Sequence, residues 1–484
     1  MSQGMNMVSW RDYSGVDGFG QTTVEDLRDL KKALAAGQDV GPVAAGAGVG
    51  FPLRVESLER TLKNTTYRME HVRFWRGIPK GAAFNTVEEF NQIRDYGNLS
   101  LNSFMNEGAL PEESDSTYSR EFSIVKFLGI TRRVTHVMSL VKPAHGNVIA
   151  QETIAGTMKL LRDIERNLWF ARDDLDPVQW KGMEQLIEDG ALPENIIDLR
   201  GAPLTEDILI DAALTIQDAP NYGTPTHLYL NPKVKADLAK TFFPKSRYDL
   251  FSKTDSGLVG LDVRGFTSPA GDVMFEPDVF ISDGDGDDGA LPAAAVGSVA
   301  KAPGTPVLLV ASNANAGPVA GSLWGPSDAG TYNWQVVAVN AFGQSAPLDM
   351  GSATVAATDS VDLKAGPGLG VAPTYYKVYR TGNGGAVGTE RLIARVPAAA
   401  MAAAGGFVDL NENLPGTTKA FMIQQNEDNL KFKQLAPMIK VPLATIDTSI
   451  RWMQLLYGVI QLYTPRRNVI FKNIGRSAGF VGAP

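Results

Sequence analysis

The segment RWMQLLYGVIQLYTPRRNVIFKNI, residues 451–474, constrains this chain more than any other stretch. β-Branched and aromatic residues fill it. It is interrupted once, at Gly458, and stopped by Thr464-Pro465. This pattern predicts two strands joined at a proline-marked turn. No pair of polar side chains in it is spaced for catalysis.

The length of 484 residues predicts about three domains. A hydrophobic share of 44% and a charged share of 20% are ordinary for a globular chain. No run of 18 apolar residues is present, so no transmembrane helix is expected. The first residues, MSQGMNMVSWRDYSG, lack the basic-then-apolar order of a signal peptide, which predicts synthesis and folding in the cytoplasm. The absence of cysteine excludes disulfides, thiolate catalysis and cysteine-ligated zinc. A net charge of −8 argues against a surface built to grip nucleic acid.

Residues 1–20 read as an extended arm. Thr23 is placed to cap a short helix ending near Gly37, and residues 54–63 suggest a second. GPVAAGAGVG, residues 41–50, has glycines but no following Lys-Ser/Thr pair, so it is a joint and not a phosphate loop. From Thr65 to Leu140 the pattern is mostly β. NEGALPEESDSTYSR, residues 106–120, is too polar to bury and predicts an exposed excursion, with Glu112, Glu113, Asp115 and Arg120 as candidates for contact with a neighbouring subunit. Residues 119–138 follow as one long strand, with Gly129 marking a bulge or bend.

Ile154, Met158, Leu161, Ile164 and Leu168 repeat at helical spacing and predict a long helix over about 147–171, with Arg162, Glu165 and Arg166 on its wet side. Thr205 caps a further helix, THLYL at 226–230 is a buried strand, and Asn231-Pro232 opens another helix. Composition breaks at 281–297 and 413–421 bracket a different region. It holds short strands at 332–347, 361–363, 375–385 and 407–410 between Gly/Asn turns, the mark of a β-sandwich.

Few residues read as a chemical site. GRSAG, residues 475–479, matches a nucleophile-elbow pattern around Ser477, but only five residues follow and all histidines lie before position 228. Asp283, Asp285 and Asp287 have calcium-loop spacing. Asp288 stands at the loop's glycine position and Ala294 at its terminal glutamate, so the stretch reads as an acidic linker. His71, His136, His145 and His227 are scattered. The predictions are therefore no enzyme, no cofactor and no metal. Within the sandwich, aromatics at alternate positions such as Tyr332/Trp334 and Tyr375/Tyr379 must partly face out. Exposed rings stack on sugars, which makes Trp334, Tyr376 and Tyr379 candidates for a weak carbohydrate or host-surface contact.

Taken in order, these segments resemble a known family. FPLRVESLERTLKNTTYRMEHVRFWRGIPKGAAFNTVEEF resembles the N-terminal arm of tailed-bacteriophage major capsid proteins of the Hong Kong 97 fold. GALPEESDSTYSREFSIVKFLGITRRVTHVM resembles their extended loop, the 147–171 helix their spine helix, THLYLNPKVKADL their axial domain, and 451–474 their closing strands. Residues 286–420 resemble an immunoglobulin- or fibronectin type III-like insertion. Its order departs from that pattern, since AVNAFGQS, usually late in a fibronectin module, here precedes YYKVYRT.

The resemblance implies an α+β Hong Kong 97-type fold carrying an all-β immunoglobulin-like sandwich. The implied division is an arm at 1–64, an extended loop with flanking strands at 65–143, and a spine helix with peripheral and axial domains at 144–285. The insertion follows at 286–420, and the axial and peripheral domains return at 421–484. It implies a structural subunit that self-assembles as hexamers and pentamers into the icosahedral head of a virion. Implied partners are other copies, portal, scaffolding and cementing proteins, and packaged double-stranded DNA without sequence-specific contact; no membrane is involved. The competing reading is a bacterial or phage surface adhesin or decoration protein built on the sandwich. Some relatives of this fold cross-link a Lys to an Asn. No motif identifies such a pair here, and Lys80, Lys126 and Asn473 read as ordinary surface or turn residues.

Overall fold

The structure, a computed structural model, describes residues 65–97, 104–110, 113–141, 146–242, 263–281, 289–298, 300–315, 317–403, 405–444 and 447–476. The expected helices near 23–37 and 54–63, Glu112, His145, Asp283, Asp285, Asp287 and Ser477 lie outside these residues.

A helical turn at Phe74–Gly77 precedes β1 (Lys80–Ala82). β2 (Val87–Asp95), β3 (Thr117–Ile124) and β4 (Lys126–Thr135) follow, then a short helix, His136–Leu140. The long helix is Val148–Phe170. After the helix Met183–Gly190 come β5 (Ile196–Asp198), a helix Glu206–Gln217, β6 (His227–Leu230) and a helix Pro232–Phe242. β7 (Gly265–Ser268) and β8 (Gly271–Pro277) complete this part.

The next nine strands are β9 (Val296–Gly297), β10 (Val307–Asn315), β11 (Gly330–Asn340), β12 (Gly343–Gln344), β13 (Leu348–Val355), β14 (Ser360–Gly366), β15 (Tyr375–Arg380), β16 (Arg391–Pro397) and β17 (Phe407–Asp409). The chain closes with β18 (Thr418–Ile423), β19 (Leu430–Pro442), β20 (Ser449–Leu462) and β21 (Val469–Ile474).

The two closing strands do form, with a helical turn at Pro465–Arg467 between them. They do not pair with each other. β20 lies in a sheet ordered β1-β19-β20-β4, whereas β21 lies in a sheet ordered β5-β21-β18-β6-β8-β7. The proline turn therefore carries the chain from one sheet to the next. Gly458 does not break β20. Its missing side chain leaves room for the Phe432 ring, which a Cβ there would strike.

The six-stranded sheet is apolar on both faces. Phe421, Ile423, Tyr229 and Ile470 point into the core that holds the long helix. Their neighbours Ala420, Met422, Leu228, Leu230, Val469 and Phe471 point into a second core under the helices Glu206–Gln217 and Pro232–Phe242. Period-two alternation thus turns the continuous apolar runs AFMI and VIF into two buried surfaces. Asn231 Oδ1 accepts the Lys233 N–H at 3.0 Å, so the Asn-Pro pair opens its helix as its chemistry requires.

The long helix buries Leu160, Leu161, Ile164, Leu168, Trp169 and Phe170. Each such side chain contributes about 1.5–3 kcal/mol through removal from water. Ile154, expected on the same face, is 64% exposed, so the first turns stand clear of the core. Glu165, expected on the wet side, is fully buried. The helix docks at Gly156, where a Cβ would strike the Gln454 amide. Gln454 Nε2 donates to the Thr153 carbonyl at 2.8 Å and to Thr157 Oγ1 at 3.1 Å.

Residues 119–138 are not one strand. The ladder changes partner at Val125: β3 pairs with β2, and β4 pairs with β20. Gly129 sits in unbroken register opposite Leu455, so it marks no bulge. A Cβ there would meet the Leu455 side chain, and close approach explains the glycine.

β10, β14 and β17 form one sheet of a β-sandwich, and β16-β15-β11-β12-β9, with β13 on β11, form the other. Trp324, Trp334, Val336, Leu363, Tyr376 and Val378 are among the side chains that fill the space between them. Arg200 and Asn473 join this sandwich to the rest of the chain. Arg200 donates to the Asn411 carbonyl at 2.6 Å, the Leu323 carbonyl at 2.8 Å and Asp328 Oδ2 at 3.2 Å. Asn473 is not a surface residue. It is buried at the end of β21, donates to Asp198 Oδ1 and the Glu412 carbonyl at 2.7 Å each, and accepts the Leu414 N–H at 2.8 Å.

Candidate assembly surfaces

β2 and β3 form a two-stranded ribbon with partners Val87↔Ile124, Glu89↔Phe122, Asn91↔Arg120 and Ile93↔Tyr118. Alternation divides it into two faces. On one, Phe90 meets Tyr463 edge-on at 4.9 Å, Gln92 Nε2 donates to the Tyr463 carbonyl, and Gln461 Nε2 donates to the Glu88 carbonyl at 3.5 Å. The other carries Val87, Ile93, Tyr118, Phe122 and Ile124, all exposed. Beyond the strands, Phe104 and Leu110 are each 91% exposed. A ribbon that leaves these five large apolar side chains uncovered, with Glu89, Asn91 and Arg120 among them on the same face, is marginal by itself in water and calls for a covering surface.

Of the residues expected to contact a neighbour, Glu113 and Asp115 are exposed next to this ribbon. Arg120 is exposed too, but it is engaged within its own chain, 3.4 Å from both Glu89 Oε2 and Asn91 Oδ1. Such an exposed ion pair stabilises by about 0–1 kcal/mol, enough to fix register but not to hold the ribbon.

The aromatic contact surface expected on the sandwich is absent. Trp334, Tyr376 and Tyr379 are all buried. Trp334 and Tyr376 point into the inter-sheet core. Tyr379 points to the opposite face, where Val337, Val339, Leu392 and Leu291 cover it. Tyr332 and Trp334, expected to face out, point inward, and the opposite face that carries Tyr379 is covered as well. Around Trp334 lies a buried polar knot. Arg380, 1% exposed, bonds Asp409 Oδ2 at 2.6 Å and Asn411 Oδ1 at 2.6 Å, while Trp334 Nε1 donates to Asp409 Oδ2 at 3.0 Å. The guanidinium lies over Trp324 at 4.6 Å.

The apolar surface that the sandwich does expose is Val307, Leu308, Leu309 and Val310, with Leu369 and Val371. No strand is expected from the sequence over these four consecutive aliphatic residues. They are exposed because β10 stands at the edge of a three-stranded sheet.

The histidines are not gathered. His227 Nδ1 lies 2.9 Å from Thr226 Oγ1 and its ring stacks on Tyr229; burial holds its pKa below the usual value. Among the described residues no three His, Asp or Glu side chains converge on a metal-sized site. Lys80 lies over the Trp75 ring at 4.4 Å, and Lys126 Nζ donates to the Pro177 carbonyl at 2.6 Å.

No protein-family model matches the chain. The major capsid protein of Staphylococcus phage K is 26% identical to it over 468 residues, covering 92% of this chain and 95% of that protein. The putative major capsid protein of Enterococcus phage phiEF24C is 23% identical over 435 residues, covering 87% and 90%. The chain is thus similar to phage major capsid proteins along almost its whole length. These capsid relatives are structural proteins of the virion and not enzymes. Among solved structures, the capsid of the native GTA particle is similar over 89% of this chain and 99% of its own, with a TM-score of 0.46 and 7% identity. The capsid of Myoviridae phage XM1 is similar over 90% and 99%, with a TM-score of 0.44 and 8% identity.

Proposed function

We propose that this chain is the major capsid protein of a tailed bacteriophage, a Hong Kong 97-type subunit that assembles with its own copies into a closed icosahedral head of hexamers and pentamers. The observation that carries the reading is the β2–β3 ribbon, with five large apolar side chains uncovered on one face, in a chain that aligns almost end to end with phage capsid proteins. A neighbouring copy is the natural cover for that face, since a shell supplies an identical surface at every position. The double-stranded genome fills the interior without sequence-specific contact, in keeping with the acidic chain. Portal, scaffolding and cementing proteins are the expected further partners.

The sandwich, read as an immunoglobulin-like insertion over about 286–420, projects from the outer face and stabilises neighbours or contacts the host. Bulk on the inner face would take space from the genome. Burial of Trp334, Tyr376 and Tyr379 removes the sugar-stacking basis for adhesion, which favours contact between copies through the exposed β10 edge. The test is to express the chain alone and with candidate scaffolding proteins, and to image the products by electron microscopy. Closed shells with sandwich-sized protrusions are expected. A stable monomer under all assembly conditions would refute the reading.

A further inference from the structure

Two buried carboxyl groups meet where three segments of the chain cross. Glu165, on the long helix, accepts the backbone N–H groups of Arg73 at 2.8 Å, Phe74 at 2.6 Å and Trp75 at 2.8 Å. Asp278, just past β8, accepts Trp169 Nε1 at 2.8 Å and the Phe280 N–H at 2.8 Å. Both residues are fully buried, and the two carboxyl groups lie side by side, Glu165 one helical turn before the Trp169 that Asp278 holds. Two ionised carboxylates offer only lone pairs, so a hydrogen bond between them requires a proton.

Among the described residues no cation figures among the groups that act on the pair. Arg73 points to Glu276, 3.7 Å away, and Lys419 bonds Glu184 at 2.7 Å. Arg162 lies over the Tyr67 ring. Tyr229 from β6 faces the pair, and Glu276 from β8 acts on Tyr229. Tyr229 donates to Gln425 Oε1 at 2.6 Å and stays neutral, because burial and the nearby carboxylates push its pKa up. His227, on the far side of Tyr229, faces Glu276. The remaining walls are apolar: Phe74 stacks on Trp169 at 4.1 Å, and Phe421 stacks on it at 4.7 Å.

We propose that Glu165 and Asp278 share one proton as a clasp, and that its loss on alkalinisation frees the segment around residues 73–78 from the long helix. Asp278 holds the proton and donates it to Glu165, whose three amide donors suit it to carry the negative charge. The clasp ties together the chain approaching from the N-terminal side, the long helix and the stretch that leads into the sandwich. It lies within one chain and does not depend on shell formation.

The direction of titration agrees. Burial raises both pKa values, and the neighbouring Glu165 charge pushes Asp278 further, well above the usual carboxylate range. The protons belong to the pair and come off in steps. For an acid whose folded pKa is raised, the folded state binds the extra proton. The stabilisation is complete below the ordinary carboxylate range and is lost as pH rises through the raised pKa.

The experiment is hydrogen exchange on the full chain between mildly acidic and alkaline pH, read at the amides of Arg73, Phe74 and Trp75 and corrected for intrinsic rates. Wild type should lose protection by roughly tenfold or more across the titration. Asp278→Asn, which supplies a permanent donor, should hold protection flat. Protection in the wild type that does not change with pH, or the same loss in D278N, would overturn the proposal. Should D278N fail to fold, the infrared carbonyl band of a protonated carboxylic acid decides the matter on wild type alone. The proposal requires that band at neutral pH and requires it to vanish together with the amide protection; its absence at neutral pH overturns the clasp.

Discussion

The Thr418 hydroxyl donates to the Ile281 carbonyl at 3.3 Å. The same carbonyl accepts Asn231 Nδ2 at 3.1 Å. The chain therefore leaves the six-stranded sheet region and returns to it at adjacent points, since one hydrogen bond links the two ends of the stretch between Ile281 and Thr418. That geometry suits an inserted domain, whose two ends must lie close together.

Excising residues 284–415 and bridging the gap with a short Gly-Ser linker should leave the rest soluble and folded. The cut must stop before Thr418, because β18 is a central strand of the sheet and pairs with both β6 and β21. Circular dichroism and electron microscopy of the product are the measurements. Loss of the host fold would show that the sandwich is an integral part of the core.

Replacing Arg380 should destabilise the sandwich far more than a surface arginine would. Arg380→Ala leaves Asp409 buried without its cation, at a cost of about 3–5 kcal/mol. Denaturant unfolding followed by the fluorescence of Trp324 and Trp334 reports it. A double replacement, Arg380→Met with Asp409→Leu, should recover part of the loss.

Gly458→Val should damage the sheet ordered β1-β19-β20-β4, since the new side chain meets the Phe432 ring and the Lys433 carbonyl. Overpacking of this kind costs about 1–3 kcal/mol. A lowered midpoint of thermal unfolding is expected, and relief when Phe432 is reduced to Leu in the same chain.

Phe122→Lys should leave subunit stability within about 0.5 kcal/mol, because the ring is exposed. It should still weaken assembly, because a charge on the uncovered face of the ribbon opposes burial by a neighbour. Phe90→Ala has the opposite signature: it loosens the ribbon from Tyr463 within one chain. Sedimentation and thermal unfolding, run on both variants, separate the two faces.

Local chemistry was legible wherever local chemistry decides the outcome. The helical period from Leu161 to Leu168, the Asn231-Pro232 helix start and the strand at 227–230 follow from neighbours in sequence. The errors arose where a distant segment supplies the environment. Glu165 was read as solvated because its partners, Asp278 and the amides of 73–75, are remote in sequence. Trp334 and Tyr379 were read as half-exposed because nothing near them reveals that both faces of their sheet are covered. Gly129 and Gly458 were read as irregularities of the backbone, whereas Leu455 and Phe432 on neighbouring strands account for them.

The placement of β19 and β20 also sets a schedule for synthesis. Gln92 and Tyr463, which bond across the foot of the ribbon, are 371 residues apart in sequence. Among the described residues β1 pairs with β19 alone and β4 with β20 alone, so these early strands wait for their partners while most of the chain emerges. The sandwich strands find their partners among themselves and can close first. A ribosome that stalls before Ser449 would release a finished appendage on an open body. Closure of the sheet ordered β1-β19-β20-β4 therefore follows that of the sandwich, and β19 and β20 act as its completion step.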